Sequence, residues 1–293
     1  MYRYKFNELK KWKNSSNRKP LIIRGARQVG KTWLMQEFGK REYEKCAYIN
    51  FDENTRMIKL FSGDFDIERI IQGLKIESGV NIEPENTLII FDEVQETPKA
   101  LTALKYFYEK ANQYHIVAAG SLLGVAMHEG ASFPVGKVDF LDLYPLNFLE
   151  FLRALGEENI VELVEKNDIE MIKVFSDKLK NYLKQYLYIG GMPEVVETYV
   201  ETKDFIEVRR KQEVLLESYE QDFSKHAPTA VIPRIQMVWD GIPSQLAKEL
   251  HCNADYLGRV FRRTFHLTLT EAIHRQRVRA AEKLLLNDAA SLT

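Results

Sequence analysis

The chain has 293 residues, 45% hydrophobic and 28% charged, with a net charge of -1, which is enough apolar material for a buried core and enough length for two domains. So balanced a charge excludes a global field that would draw the protein to nucleic acid or membrane, and any basic surface must be local. No run approaches the ~18 apolar residues of a membrane span, residues 1–6 have no apolar leader core, and a cytoplasmic location without membrane attachment is the expectation.

Residues 9–13 suggest a short helix, and the polar stretch 14–20 a loop that delivers the chain to a first strand, Leu21, Ile22, Ile23 and Arg24. Directly after that strand come Gly25, Ala26, Arg27, Gln28, Val29, Gly30, Lys31 and Thr32, which match the phosphate-loop pattern G-x-x-x-x-G-K-[ST] letter for letter. Phosphate oxygens need several N–H donors converging on one point, and the glycines allow the close turns that a Cβ would block. Lys31 then supplies a charge toward the β- and γ-phosphates, Thr32 a hydroxyl for Mg²⁺, and Trp33 opens a helix whose positive end faces the anion. Residues 33–38 have helical spacing, and Gly39 is expected to cap them. Cys46 and Cys252 lack metal-ligand spacing and are expected as reduced, packed thiols.

Residues 47–52 read as a second strand and 67–74 as a helix by spacing. Residues 87–93 form a continuous apolar run that ends in Asp92 and Glu93. An apolar strand ending in two acids, about sixty residues after a phosphate loop, suits Asp92 to the Mg²⁺ shell and Glu93 to orienting or deprotonating the water that attacks the γ-phosphate. A helix is expected over 99–111 after Pro98, and a buried strand over 115–119, with Ser121 close behind it. At the carboxyl end of a parallel strand Ser121 either senses the γ-phosphate or caps the next turn. Residues 138–143 alternate with period two, as a further strand does. Asn147 with Glu150 three residues on predicts a capping box at the start of a helix over 148–155. From 160 to 219 the pattern is helical, broken at Gly190, Gly191, Met192 and Pro193; these read as punctuation between two packed helices, with a substrate loop as the alternative. His226 reads as a packing or surface residue.

Residues 25–32, 88–93, Gly120 with Ser121, 132–136, 144–148, 188–194 and 219–226 together resemble the prokaryotic AAA+ ATPases that carry a C-terminal domain of unknown function. The resemblance runs to about residue 248. It implies an α/β fold with a P-loop parallel sheet and helices on both faces, followed by an all-α region. It also implies binding of ATP with Mg²⁺, slow and conformationally coupled hydrolysis, and a homo-oligomer in which a neighbour supplies an arginine. Where such relatives carry Arg after a glycine, this chain has Gly136 followed by Lys137, which leaves that role open.

The last fifty residues change character. Residues 244–293 hold eight Lys and Arg against five Asp and Glu, a net +3. Ser244 is expected to cap a short helix, and a second helix would carry Leu257, Val260 and Phe261 inward and Tyr256, Arg259, Arg262 and Arg263 outward. That outward set suits base edges and phosphates of a major groove in double-stranded DNA. Residues 246–247, 253–263 and 277–285 resemble the helix-turn-helix domain of AraC/XylS-type transcription regulators, of which only the first unit and linker helix are present. The expected organisation is thus an ATP-binding domain over 1–155, a helical second domain over 156–243, shortened relative to its family, and a helix-turn-helix over 244–293. Three functional readings follow: an ATPase with an appended DNA-binding unit, a transcription regulator in which the ATPase half is a scaffold, and an inert fusion fragment.

Overall fold

The structure, a computed structural model, describes residues 1–120, 136–227 and 230–249. Ser121 and the expected DNA-reading residues Tyr256, Arg259, Arg262 and Arg263 lie outside the described residues. The chain divides into two compact units, the first spanning Met1–Glu213 and the second beginning at Val214.

Among the described residues the first unit is built on five strands, β1 (Leu21–Arg24), β2 (Lys45–Asn50), β3 (Thr87–Asp92), β4 (His115–Ala119) and β5 (Asp139–Asp142). They lie in the order β2-β3-β4-β1-β5, every neighbouring pair parallel. All residues of β3 and β4 are buried, as strands covered on both faces require. Alternation along each strand sorts the side chains between two layers of helix. Leu21, Ile23, Leu88, Ile90, Val117 and Ala119 face α1 (Lys5–Lys13) and α2 (Lys31–Glu42), which bury Leu9, Trp12, Leu34, Met35 and Phe38 against them. Ile22, Ala47, Ile49, Ile89, Phe91, Ile116 and Ala118 face the other way, onto α3 (Thr55–Ser62), α4 (Ile67–Ser78) and α5 (Pro98–Lys110). Burying a single phenylalanine such as Phe38 or Phe91 stabilises this arrangement by roughly 2–3 kcal/mol.

Most expected elements are present with shifted ends, and two differences have clear physical causes. Helix α2 does not stop at Gly39 but runs through it to Glu42. A Cβ at Gly39 would lie 2.7 Å from Cys46 Sγ and 3.2 Å from Cys46 Cβ, so the glycine permits helix and strand to approach closely instead of ending the helix. The other difference is α3, which sequence spacing did not suggest; Asn54 caps it by accepting from the Met57 amide at 3.2 Å.

After β5, Asn147 opens α6 (Phe148–Ala154) with the expected capping box: its side chain accepts from the Glu150 amide at 2.9 Å, and the Glu150 carboxylate accepts from the Asn147 amide at 3.0 Å. There follow α7 (Glu158–Glu165), α8 (Ile169–Val174), α9 (Ser176–Ile189), α10 (Pro193–Thr202) and α11 (Phe205–His226). The break at 190–193 falls where expected, between α9 and α10, with Pro193 as the first residue of the new helix. Phe148 and Phe151 pack their rings against Tyr186, which ties α9 back to α6. In the second unit α12 spans Ile232–Glu249, and the Tyr219 and Trp239 rings meet at 6.0 Å. Ser244 therefore stands in the last turns of a helix, not at the start of one.

Candidate functional site

The carboxyl edge of a parallel sheet gathers the loops that follow its strands, and here that edge carries residues 25–32 after β1 and Asp92 at the end of β3, with β4 between them. The phosphate-loop residues turn tightly. Gly30 has φ +90° and serves as N-cap of α2 without a side chain of its own to cap it, and the first-turn N–H groups, which have no acceptor within the helix, form a place suited to an anion. Gln28 is also left-handed, at φ +63°. Gly25 is held against the end of β5, where a Cβ would lie 2.2 Å from the Leu143 carbonyl oxygen. Val29 is buried, Ala26, Gln28 and Trp33 are exposed, and Arg27 is half-buried.

Lys31 is only 6% exposed and donates to the Gly25 and Ala26 carbonyls at 2.9 and 2.7 Å. Burial lowers its pKa, while the Glu93 and Asp92 carboxylates act in the raising direction. Thr32 donates its hydroxyl to Asp92 Oδ2 at 2.6 Å, a short charge-assisted bond that joins the phosphate loop to the end of β3. Asp92, 4% exposed, also accepts at Oδ2 from the Tyr48 hydroxyl at 2.9 Å, and its Oδ1 accepts from the Glu93 amide at 3.1 Å. The Tyr48 phenol is shifted up by burial and by the Asp92 charge. Glu93 adopts a left-handed backbone at φ +50° and its carboxylate accepts from Gln95 Nε2 at 2.6 Å. A non-glycine residue in that region marks a position that the surroundings hold in place.

The structure thus brings together the expected set Gly25, Gly30, Lys31, Thr32, Asp92 and Glu93. Sequence reasoning missed three neighbours, Tyr48, Gln95 and Arg3, the last of which donates to the Val29 carbonyl at 2.8 Å. Lys137 is not part of this set. It precedes β5, whose first residue Asp139 lies level with Leu21 at the amino edge of the sheet, and it pairs with Glu109 at 3.0 Å. The donors present fit a magnesium nucleotide: a hydroxyl and a carboxylate, both hard oxygen ligands, 2.6 Å apart beside a turn of backbone amides. Among the described residues no helix is long and apolar enough to cross a membrane.

Residues 17–152 match a family described as an AAA domain, and residues 180–254 match one described as a domain of unknown function. An uncharacterized protein of Methanocaldococcus jannaschii is 25% identical over 221 residues, which cover 71% of this chain and 44% of that protein, so the chain spans less than half of its relative. Among solved structures, the chain is similar to the Walker-type ATPase of Pyrococcus abyssi, with 16% identity, 78% of this chain and 77% of that one covered, and a TM-score of 0.47. It is similar also to the Aeropyrum pernix ORC2 protein, with 17% identity, 55% and 52% covered, and a TM-score of 0.39. The chain thus pairs a P-loop-type parallel sheet, matched over residues 17–152 to the family described as an AAA domain, with a region over residues 180–254 that matches a domain of unknown function.

Proposed function

We propose that the protein binds ATP with Mg²⁺ at residues 25–33 and hydrolyses it to ADP and phosphate. The observation that carries this reading is the 2.6 Å bond between Thr32 and Asp92, which sets the phosphate loop against the acidic end of β3. Backbone amides of the loop and the first turn of α2 hold the phosphate oxygens, and Lys31 leaves its loop carbonyls to meet the β- and γ-phosphates. Thr32 and Asp92 are the residues that would hold Mg²⁺, which neutralises charge on the phosphate oxygens. Glu93 accepts a proton from the attacking water as its oxygen bonds to the γ-phosphorus and the bond to the bridging oxygen breaks, with the electron pair leaving on ADP. Ser121 follows β4, the strand between β1 and β3, a position suited to sensing the γ-phosphate. Lys31→Ala abolishes nucleotide binding, and Glu93→Gln keeps binding but stops turnover. Unchanged ATP turnover in both variants overturns the reading.

A second reading rests on the basic C-terminal sequence: Tyr256, Arg259, Arg262 and Arg263 contact double-stranded DNA as a single helix-turn-helix unit, and the ATPase half serves as scaffold or oligomeriser. One unit buries little DNA surface, so sequence-specific affinity is expected to be weak without oligomerisation. Removing Arg259, Arg262 and Arg263 lowers DNA affinity and flattens its salt dependence. Affinity unchanged at every salt concentration removes this reading and leaves the ATPase.

A further inference from the structure

Arg3 has no part in the phosphate-loop pattern, yet it is 5% exposed and sits behind that loop. Its guanidinium donates in three directions: Nη1 to the Val29 carbonyl at 2.8 Å, Nη2 to the Tyr144 carbonyl, and Nε to Glu150 Oε1 at 3.4 Å. Glu150, 3% exposed, answers the charge while also accepting from the Tyr4 amide at 2.7 Å and closing the cap of α6. The planar guanidinium fork presents its donors to three acceptors in different directions at once.

The bond to Val29 has a directional consequence. A peptide unit is planar and trans, so a carbonyl held on Arg3 fixes the following N–H, that of Gly30, pointing away from Arg3 on the other side of the loop. The same neighbourhood touches the helical region. A Cβ at Gly30 would lie 3.7 Å from Arg3 Nη1 and 3.8 Å from Pro193 Cγ. Gly191, two residues before Pro193, accepts at its carbonyl from the Leu146 amide at 2.7 Å, and a Cβ on it would lie 2.1 Å from the Leu146 oxygen. That oxygen accepts in turn from the Tyr186 hydroxyl at 2.7 Å. A continuous set of close contacts therefore runs from α9 and the 190–193 turn through residues 144–150 and Arg3 to the phosphate loop.

We propose that Arg3 is a positioning residue of the phosphate loop and the strut that couples nucleotide binding to the α9–α10 turn. The coupling rests on the nucleotide reading above, whereas the strut itself is testable without nucleotide. Amide hydrogen exchange of the full chain is compared for the native protein and Arg3→Gln. Without nucleotide, exchange in residues 25–33 is faster in the variant. With Mg-ATP, exchange in residues 190–202 slows in the native protein and not in the variant. The KM for ATP rises about tenfold in the variant, as loss of a charge-assisted bond at the loop predicts, and by a larger factor than kcat falls. If a melt shows Arg3→Gln unfolded, Arg3→Lys takes its place in the same measurements, since it keeps a cation for Glu150 and loses the fork. Loop exchange and KM both unchanged in a folded variant overturn the strut. A native protein that shows no Mg-ATP response overturns the nucleotide reading and the coupling, and exchange without nucleotide then decides the strut alone.

Discussion

Replacing Gly25 by alanine places a methyl group 2.2 Å from the Leu143 carbonyl oxygen and 3.2 Å from Val29 Cγ2. Neither neighbour gives easily. The Leu143 oxygen is backbone, and the Leu143 amide donates to the Arg24 carbonyl at 2.7 Å, so relief separates the end of β5 from β1. Forcing a methyl into a filled space costs about 1–3 kcal/mol, and a residue with a Cβ at the glycine's φ of +156° adds about 1–3 kcal/mol of backbone strain. A total near 4 kcal/mol lowers the melting temperature by roughly 8–16 °C in a unit of this size. Nucleotide affinity falls with it, because the displaced segment includes Tyr144, whose carbonyl anchors Arg3. Gly79→Ala is the internal control: Gly79 also has positive φ, +69°, but a Cβ there meets nothing within 4 Å, so only about 1–2 kcal/mol of strain is expected and no change in nucleotide binding. Calorimetric melts and titration with a fluorescent ATP analogue read both quantities. A Gly25→Ala protein no worse than Gly79→Ala in either would refute the reasoning.

Two further outcomes test the sheet itself. His115 is buried, its Nδ1 shares a 2.8 Å hydrogen bond with the Tyr43 hydroxyl, its Nε2 has no hydrogen-bond partner among the described residues, and burial, helped by Arg18 and Lys13, lowers its pKa to about 4. The unfolded chain then binds the proton more tightly than the folded one, so stability from this residue is full above about pH 6.5 and is lost as pH falls toward 4, by about 3 kcal/mol at most. His115→Asn should flatten the denaturation free energy across that interval, and an identical pH profile in both proteins would contradict it. Gly39→Ala, which adds about 1 kcal/mol of helix propensity at an open position, is expected instead to lose about 1–2 kcal/mol in urea unfolding because of the Cys46 contact. Adding Cys46→Ala should recover part of the loss; a single variant more stable than native shows the contact to be soft.

The phosphate loop, the acidic end of β3 and the capping box at Asn147 were legible because each is a local pattern whose chemistry is fixed by residues a few positions apart. Tyr48 and Arg3 were not, since Tyr48 meets Asp92 only through the pairing of β2 with β3, and Arg3 finds its acceptors at residues 29, 144 and 150. Gly39 was misread for the same reason: the signal of a helix cap and that of a close approach are the same letter, and only the neighbouring strand separates them. Helix α3 did leave a local sign in Asn54, but a helix of eight residues carries too few turns for spacing to declare it.

The placement of β1 between β4 and β5 has a consequence for synthesis. Among the described strands β1 leaves the ribosome first, and its two edges are filled by β4 and β5, about 96 and 118 residues later. At ordinary elongation rates the run Leu21–Ile23 therefore waits roughly 5–19 s with both edges bare. A nascent chain of this topology is a natural client for chaperones, and slowed translation between residues 24 and 139 is the manipulation most apt to send it into aggregates.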